Sequence, residues 1–246
     1  MRTRLDAAMV KRGLVSSRSE AARLVAEHAV SVSGALAEKV SRLVAPDEPI
    51  EIIRPPRFVS RGGEKLLGAL EAFGISVEGV SAVDVGSSTG GFTDCLLQNG
   101  AARVFAVDVG RNQLHERVAG DPRVTWREGV NVRDMSATDM PFECSLLVAD
   151  LSFISLVTVL PVLSALVVPH AEMVLLVKPQ FEVGREEASR GRGVITDPDL
   201  HRQSVEKVSA EAVRLGWTVS GCVESPIKGG EGNTEFLLHL KRPGSP

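Results

Sequence analysis

The stretch VDVGSSTGGFTD, residues 83–94, reads as the end of a buried strand, a glycine-rich turn and the start of a helix. Two phosphate-binding loops share this outline, and the details exclude both. A Walker A loop ends in Gly-Lys-Ser/Thr, whereas this turn ends in Gly90, Gly91 and Phe92 and has no lysine to hold a phosphate. A dinucleotide-binding loop has the spacing GxGxxG, whereas the glycines here follow the spacing GxxxGG. The turn therefore suits a ligand that does not depend on a phosphate.

The next strand along the chain ends in an acid, Asp108, 22 residues after Gly86. An acid in that position can accept hydrogen bonds from both hydroxyls of a ribose. Together with Asp84, two residues before Gly86, it favours a nucleoside that carries an amino acid, and it predicts S-adenosylmethionine as the cofactor. The alternatives are a generic tight turn and a solvated acid at a strand end. The predicted cofactor-binding residues are Asp84, Gly86, Ser87, Ser88, Thr89, Gly90, Gly91, Phe92, Asp108, Val109 and Asn131.

From residue 64 onward, helical patterns alternate with short apolar strands. Several strands are continuous runs of Val, Leu and Ala, as expected when helices cover both faces of a parallel sheet. The last two strand-like segments, 217–226 and 234–242, are joined by the glycine-rich KGGEGN and predict an antiparallel hairpin at one end of that sheet. The sequence therefore predicts an α/β domain over residues 63–246.

Residues 1–54 have a different pattern, which predicts a small α+β domain. Apolar residues recur at helical spacing in 4–12, and Ser17 with Glu20 three residues later gives the capping-box signature of a second helix. Two short strand-like pieces follow, AVSVSG and PIEII. Because residues 55–62 are rich in Pro, Arg and Gly, we predict a linker there.

Charge is distributed unevenly along the chain. The net charge is −3, but residues 1–44 hold eight Lys and Arg against four acids, a balance of +4, and the remainder carries −7. A small basic module on an acidic larger domain indicates a polyanionic partner for the module.

Several classes of protein are disfavoured. The three cysteines lie far apart without a CxxC spacing and the five histidines are scattered, so we expect neither a disulfide framework nor a bound metal. The N-terminus carries charges where a signal peptide would need an apolar core. The apolar run 156–169 is too short for a membrane span and contains Pro161. We therefore expect a cytoplasmic protein without a membrane partner.

Charged residues also stand at the ends of apolar strands, where open α/β sheets build their sites. Asp150 follows one strand and Lys178 another, and a buried ammonium group is costly unless it is paired. Glu235 precedes the last strand, so it reaches the same edge if that strand is antiparallel. Lys65 opens the helix 64–74. A surface charge or a structural ion pair is the alternative for each, but four such residues at one edge predict a site.

Lys65, Asp150, Lys178 and Glu235, in this order, resemble the Lys–Asp–Lys–Glu tetrad of the ribose 2′-O-methyltransferases related to FtsJ. Residues 4–25, RLDAAMVKRGLVSSRSEAARLV, resemble an S4 RNA-binding domain. With SRGGEKL, ADLSFISL and VKPQFEVG, these motifs make the chain similar to the TlyA family, ribosomal RNA 2′-O-methyltransferases that act on cytidines and often carry the name haemolysin. One departure is His28–Ala29, where S4 domains commonly have a glycine.

The resemblance implies a Rossmann-like class I S-adenosylmethionine-dependent methyltransferase domain, with a seven-stranded and mostly parallel sheet, behind an S4 domain. It implies 2′-O-methylation of cytidine in small- or large-subunit ribosomal RNA, with the tetrad as catalytic residues and ribosomal subunits as partners. Lys178 would act on the hydroxyl as a neutral base or as a charged group that orients it, and the sequence leaves both roles open. The candidate RNA-phosphate contacts are Arg4, Lys11, Arg18 and Arg23.

Two other functions are alternatives. A membrane-active haemolysin is suggested by the name that the family carries, but the sequence offers no amphipathic or spanning segment for that activity. A catalytically idle RNA-binding or ribosome-assembly protein is the second, and the intact tetrad and complete cofactor loop argue against it.

Overall fold

The computed structural model describes residues 2–26, 28–53, 56–184 and 193–242. The chain forms two compact units, Met1–Arg57 and Phe58–Pro246. The division falls inside the segment 55–62 that the sequence predicts as a linker. Phe58 is 2% exposed and packs in the core of the larger unit. The larger unit therefore starts before residue 63, because an apolar side chain anchors the segment that leads into it.

The smaller unit packs two helices against short antiparallel strands. Its elements are β1 (Thr3–Arg4), α1 (Leu5–Lys11), α2 (Arg18–Ala26), β2 (Val30–Val32), β3 (Ala35–Leu36), β4 (Leu43–Val44) and β5 (Ile50–Ile52). β2 pairs with β3 and β5, and β1 pairs with β4. Leu5 and Met9 of α1 and Leu24 of α2 share one apolar core with Val30 of β2.

Local hydrogen bonds and backbone angles fix the ends of α2. The Ser17 hydroxyl accepts a hydrogen bond from the Glu20 backbone N–H at 3.1 Å, as the cap signature predicts. The Glu20 carboxylate reaches one residue further back than in a capping box, to the N–H and hydroxyl of Ser16. After the helix, His28 has a φ of 53°, in the left-handed region that favours glycine. A glycine would adopt this backbone angle more readily than the histidine does.

A seven-stranded sheet organises the larger unit, with strand order β11-β12-β10-β9-β6-β7-β8. Two short 3-10 turns, Val132–Asp134 and Ala137–Asp139, precede β9. The other elements are α3 (Gly62–Phe73), β6 (Ser81–Val85), α4 (Gly91–Gln98), β7 (Arg103–Asp108), α5 (Glu116–Ala119), β8 (Val124–Glu128), β9 (Leu146–Ala149), α6 (Leu156–Ala165), β10 (Glu172–Val177), α7 (Pro179–Glu182), α8 (Pro198–Arg214), β11 (Thr218–Glu224) and β12 (Phe236–Lys241).

The pairing pattern of this sheet confirms the predicted architecture. β10, β9, β6, β7 and β8 are parallel neighbours, whereas β12 is antiparallel to both β10 and β11. In the register of β10 and β12, Val177 lies opposite Phe236. The start of β12 therefore meets the carboxyl ends of the parallel strands.

Helices cover both faces of the sheet, which explains the continuous apolar runs in its strands. On one face, α6 and α8 pack over strand residues such as Val83 and Leu175. On the other face, α3 and α4 pack over Val174 and Leu176. Because successive side chains of a strand point to opposite faces, every position of β10 between these two layers must be apolar.

Asp84 is an acid within this apolar packing. It is fully buried, and its Oδ2 accepts hydrogen bonds from the backbone N–H and the hydroxyl of Thr93, at 3.0 and 2.6 Å, which ties β6 to α4. Its Oδ1 has no hydrogen-bond partner among the residues that the structure describes. Burial raises the pKa of Asp84 to about 7, and the charges of Asp150 and Asp108 add to this shift while Thr93 opposes it.

The raised pKa of Asp84 predicts a dependence of stability on pH. The folded state holds the proton more strongly than the unfolded chain between the ordinary value of 3.8 and about 7. The free energy of unfolding should therefore fall as the pH rises through this range, by at most about 1.4 kcal/mol per pH unit from this group. Asp84→Asn should lose that slope, which urea denaturation at about pH 4.5, 6 and 7.5 would measure. Equal slopes in the two proteins would contradict the assignment.

Candidate active site

Four charged side chains meet at the edge of the sheet where the parallel strands end. Asp150 follows β9 and Lys178 follows β10. Glu235 reaches the same edge because β12 runs antiparallel to β10. Lys65 arrives from the first turn of α3. The structure therefore brings together the four residues that the sequence predicts as catalytic.

The four charges form two close pairs. Lys178 Nζ lies 2.6 Å from Asp150 Oδ1, and Lys65 Nζ lies 2.5 Å from Glu235 Oε2. A longer contact of 4.0 Å, from Lys65 Nζ to Asp150 Oδ2, joins the pairs. The side chain of Asp150 is 22% exposed and that of Glu235 only 3%, so the cluster opens to solvent at Asp150. Two ammonium groups and two carboxylates can offset one another's cost of burial.

Lys178 has further neighbours that the sequence analysis did not identify. The Ser152 hydroxyl accepts a hydrogen bond from Lys178 Nζ at 2.9 Å, and the Phe181 ring centre lies 5.9 Å from the same nitrogen. Phe153 is 92% exposed, and its ring lies 5.3 Å from that of Phe181. Its φ of 63° is in the left-handed region, which is unusual for an aromatic residue. Phe181 thus lies next to both the exposed ring of Phe153 and the candidate catalytic lysine.

A buried carboxylate fixes the loop 152–155. Glu182 of α7 accepts hydrogen bonds from the Ser155 hydroxyl at 2.5 Å and from the Leu156 backbone N–H at 2.7 Å. Leu156 is the first residue of α6, so Glu182 satisfies a free N–H of that helix from a different element. Burial raises the pKa of Glu182, whereas the two hydrogen bonds and the charge of Lys207 oppose the shift. No local pattern marks Glu182, because its partners lie 27 and 26 residues away.

A cavity of about 520 Å³ adjoins Asp150 at the ends of β6 and β7. Its volume is typical of a small-molecule site. Five of the predicted cofactor-binding residues line it, namely Gly86, Ser88, Asp108, Val109 and Asn131. The lining does not include the other six, Asp84, Ser87, Thr89, Gly90, Gly91 and Phe92.

Residues of the glycine-rich turn that do not line the cavity serve to shape it. Phe92 is buried in the core, and a Cβ atom at Gly91 would overlap the Ser60 hydroxyl. Gly86 has a φ of 86°, and a Cβ atom there would lie 2.5 Å from the Asp150 carbonyl oxygen. Only glycine suits both its backbone angle and its space. Gly86 therefore lets the turn pass directly beside Asp150.

Asp108 orders two loops at the cavity. Its Oδ2 accepts a hydrogen bond from the Ser88 N–H at 2.8 Å, and its Oδ1 accepts one from the Gly110 N–H at 2.6 Å. A carboxylate can accept about four hydrogen bonds, so Asp108 retains capacity for hydroxyl groups of a ligand. Asp108 and Asp150 give the lining two carboxylates against the single guanidinium of Arg133. This balance favours a cationic ligand over a phosphate.

The predicted RNA contacts lie in the smaller unit. Arg4 and Arg18 both form ion pairs with Asp6, and both remain substantially exposed. Lys11 is exposed at the end of α1, and Arg23 lies in the last turn of α2. The structure therefore leaves cationic groups at the surface of this unit.

Within the described part of the chain, no helix has the length and apolar character to cross a membrane. Among the same residues, no three His, Cys, Asp or Glu side chains are grouped so that they could hold a metal ion.

Comparisons with known proteins agree with this geometry. The family model for FtsJ-like methyltransferases matches residues 58–242, and that for the S4 domain matches residues 3–50. The 16S/23S rRNA (cytidine-2′-O)-methyltransferase TlyA of Mycobacterium tuberculosis is 45% identical over 242 residues, which cover 98% of this chain and 90% of that protein. Hemolysin A of Brachyspira hyodysenteriae is 38% identical, with 96% of this chain and 99% of that protein covered.

A solved structure gives the same result. The structure of a hemolysin-named protein from Streptococcus thermophilus has a TM-score of 0.79 and 41% identity, and the match covers 100% of this chain and 90% of that one. The chain therefore belongs to the TlyA family, in which an S4 domain precedes an FtsJ-like methyltransferase domain.

Proposed function

We propose that this protein transfers a methyl group from S-adenosylmethionine to the ribose 2′-hydroxyl of a cytidine in ribosomal RNA. The observation that carries the proposal is the cluster of Lys65, Asp150, Lys178 and Glu235 beside a cavity with acidic lining. The M. tuberculosis relative is named for methylation of 16S and 23S rRNA, which supports small- or large-subunit RNA as the substrate class. Because the proposed substrate is ribosomal RNA, the proposed location of the protein is the cytoplasm.

The cavity residues fit S-adenosylmethionine. Asp108 would bind the ribose hydroxyls, and Val109 and Ile154 supply apolar surface for the base. The ligand's positive charge would be offset by the carboxylates of Asp108 and Asp150 in the lining. A phosphate-bearing nucleotide would meet these carboxylates with only the guanidinium of Arg133 in the lining to compensate.

The cluster explains how a weak nucleophile could react. Bound S-adenosylmethionine supplies an electrophilic methyl group on a sulfonium. The ribose hydroxyl needs alignment with that methyl and a place for its proton. A lysine ammonium has three N–H donors, of which Lys178 directs one at Asp150 and one at Ser152, so the third is left for the 2′-oxygen. As the O–C bond forms and the S–CH₃ bond of the cofactor breaks to leave a neutral thioether, the hydroxyl proton would pass to the Asp150 carboxylate, because an ammonium at Lys178 cannot accept it. Lys65 would keep Asp150 and Glu235 in position.

Phe153 is the proposed platform for the target base. Proteins that modify or read single nucleotides stack unpaired bases on aromatic side chains. Phe153 is exposed, and its ring contacts Phe181, which in turn lies near Lys178. Its backbone conformation costs free energy. A base stacked on this ring would leave its ribose near the lysine.

The S4 unit would hold the rest of the RNA. Folded RNA is recognised largely by shape and by its backbone, and the excess of Lys and Arg in residues 1–44 suits phosphate contacts. Arg4, Lys11, Arg18 and Arg23 are the proposed contacts. The larger unit would carry the cofactor and the chemistry.

Replacement of Lys178 tests the proposed chemistry. Lys178→Ala should abolish transfer of labelled methyl to ribosomal RNA, whereas calorimetry should still show S-adenosylmethionine binding, because Lys178 does not line the cavity. Lys241→Ala, an exposed lysine at the far end of β12, is the matched control and should remain active. Near-normal turnover of the Lys178 variant would remove this lysine from the centre of the mechanism.

Replacement of Phe153 tests the base platform. Phe153→Ala should lower kcat/KM for RNA by about tenfold or more, because stacking of one base contributes about 1–3 kcal/mol. Phe153→Trp should retain most of the activity, since it keeps an aromatic face. Steady-state kinetics with varied RNA concentration measure both variants, and an equal loss in the two would argue against stacking.

Removal of residues 1–55 tests the division of labour. The truncated protein should bind ribosomal RNA far more weakly than the full chain and bind S-adenosylmethionine with similar affinity, because Phe58 and the residues after it pack in the larger unit. Filter binding and calorimetry measure the two affinities. Unchanged RNA affinity would show that the smaller unit is not the RNA-binding part.

A further inference from the structure

Asp6 is a buried acid in the most basic part of the chain. It lies in the first turn of α1 and is 4% exposed. An acid here lowers the positive charge that attracts RNA, so attraction alone gives no reason for its presence. A buried carboxylate also requires hydrogen-bond donors that offset its desolvation. The partners of Asp6 show what its charge is used for.

Two arginines donate to this carboxylate. Arg4 binds it in a fork, with Nε 3.1 Å from Oδ1 and Nη2 3.0 Å from Oδ2. Arg18 directs Nε and Nη2 to Oδ2, at 3.2 and 2.8 Å. The Ala7 N–H donates to Oδ1 at 2.8 Å. The pKa of Asp6 is held well below its usual range, above all by the hydrogen bond from Arg4, so the group stays charged.

Each guanidinium keeps donors for an outside ligand. A guanidinium has five N–H donors, and Asp6 engages only the Nε and Nη2 atoms of each arginine. The side chains of Arg4 and Arg18 are 46% and 61% exposed, whereas that of Asp6 is 6% exposed. Because both Nη2 atoms contact the same oxygen, the two cations are neighbours. Their mutual repulsion is offset by Asp6, and the exposure of both side chains leaves them accessible to a ligand.

Other arginines of this unit are used differently. Arg12 donates to the backbone carbonyls of Ala45, Pro46 and Glu48, so its guanidinium holds a turn of the chain. Arg42 pairs with the Glu48 carboxylate. The arrangement around Asp6 instead presents two fixed guanidinium groups outward. Paired, planar guanidinium groups match the oxygen geometry of a phosphate.

We propose that Asp6 is a positioning residue that fixes Arg4 and Arg18 as a two-armed site for one phosphate group of the RNA backbone. This inference rests on the proposed RNA-binding function. With both side chains ordered before RNA arrives, less conformational entropy is lost on binding. Asp6 itself makes no contact with the RNA.

Asp6→Asn gives a test in which two explanations predict opposite changes in RNA affinity. Asparagine has a similar size, but its single carbonyl oxygen cannot hold both guanidinium groups. If only net charge matters, loss of a negative charge should tighten RNA binding. If Asp6 positions the arginines, binding should weaken, by about fivefold or more as expected for the loss of a phosphate contact. Fluorescence anisotropy with a labelled ribosomal RNA fragment and the full-length protein, at one fixed salt concentration, measures the difference.

Glu51→Gln is the matched control, because it removes the same charge from an exposed position on β5 of the same unit. This variant should bind RNA as tightly as the wild type or slightly more tightly. Thermal unfolding and S-adenosylmethionine binding of each variant check that the fold is retained.

A double-mutant cycle separates positioning from a purely structural role. Arg18→Ala should weaken RNA binding in the wild-type background and have a smaller effect in the Asp6→Asn background, because the arginine is no longer held. Equal effects in the two backgrounds, or equal or tighter binding by Asp6→Asn alone, would overturn the inference while the wild type still binds and methylates RNA. Failure of the wild type to bind ribosomal RNA would instead overturn the proposed function, and the inference with it.

Discussion

Mutual compensation of four charges, three of them buried, is the constraint on which the larger unit depends. Lys65, Asp150, Lys178 and Glu235 come from four separate elements, and each would be costly in a dry environment without the others. A parallel sheet gathers the ends of β9 and β10, and the reversed direction of β12 adds the fourth group. The strand topology therefore brings the four charges together, and the charges can be placed there only because they balance one another. A change in either would leave an unpaired charge in the core.

Much of this arrangement could be predicted because it follows from local patterns. Continuous Val and Leu runs indicate parallel strands, and polar residues directly after them must lie at one edge. Their positions directly after apolar strands are enough to predict Asp150 and Lys178 as site residues. The prediction for Glu235 requires that the last strand be antiparallel, and the pairing of β12 with β10 confirms this direction. The family resemblance groups Lys65 with the other three residues. Its contact with Glu235 joins two positions that are 170 residues apart in the sequence.

Other features could not be predicted, because contacts between distant residues decide them. Phe153 has a left-handed backbone and an exposed ring, although the sequence ADLSFISL suggests neither. Glu182 caps a helix that begins 26 residues earlier in the chain. The glycine-rich motif was found from sequence, but which of its residues face the cavity depends on how Ser60 and the core pack against Gly91 and Phe92. A motif identifies a segment, whereas packing decides which of its atoms are accessible.

The position of Glu235 at the start of β12 also links folding of the sheet to assembly of the charged cluster. β12 lies between β10 and β11, so the strand that Glu235 precedes occupies an internal place in the sheet. Until it inserts, Lys65 lacks the carboxylate that lies 2.5 Å away in the finished protein. Without Glu235, Lys65 would retain only the longer contact with Asp150. Insertion of β12 therefore both completes the sheet and brings the fourth charge of the cluster into place.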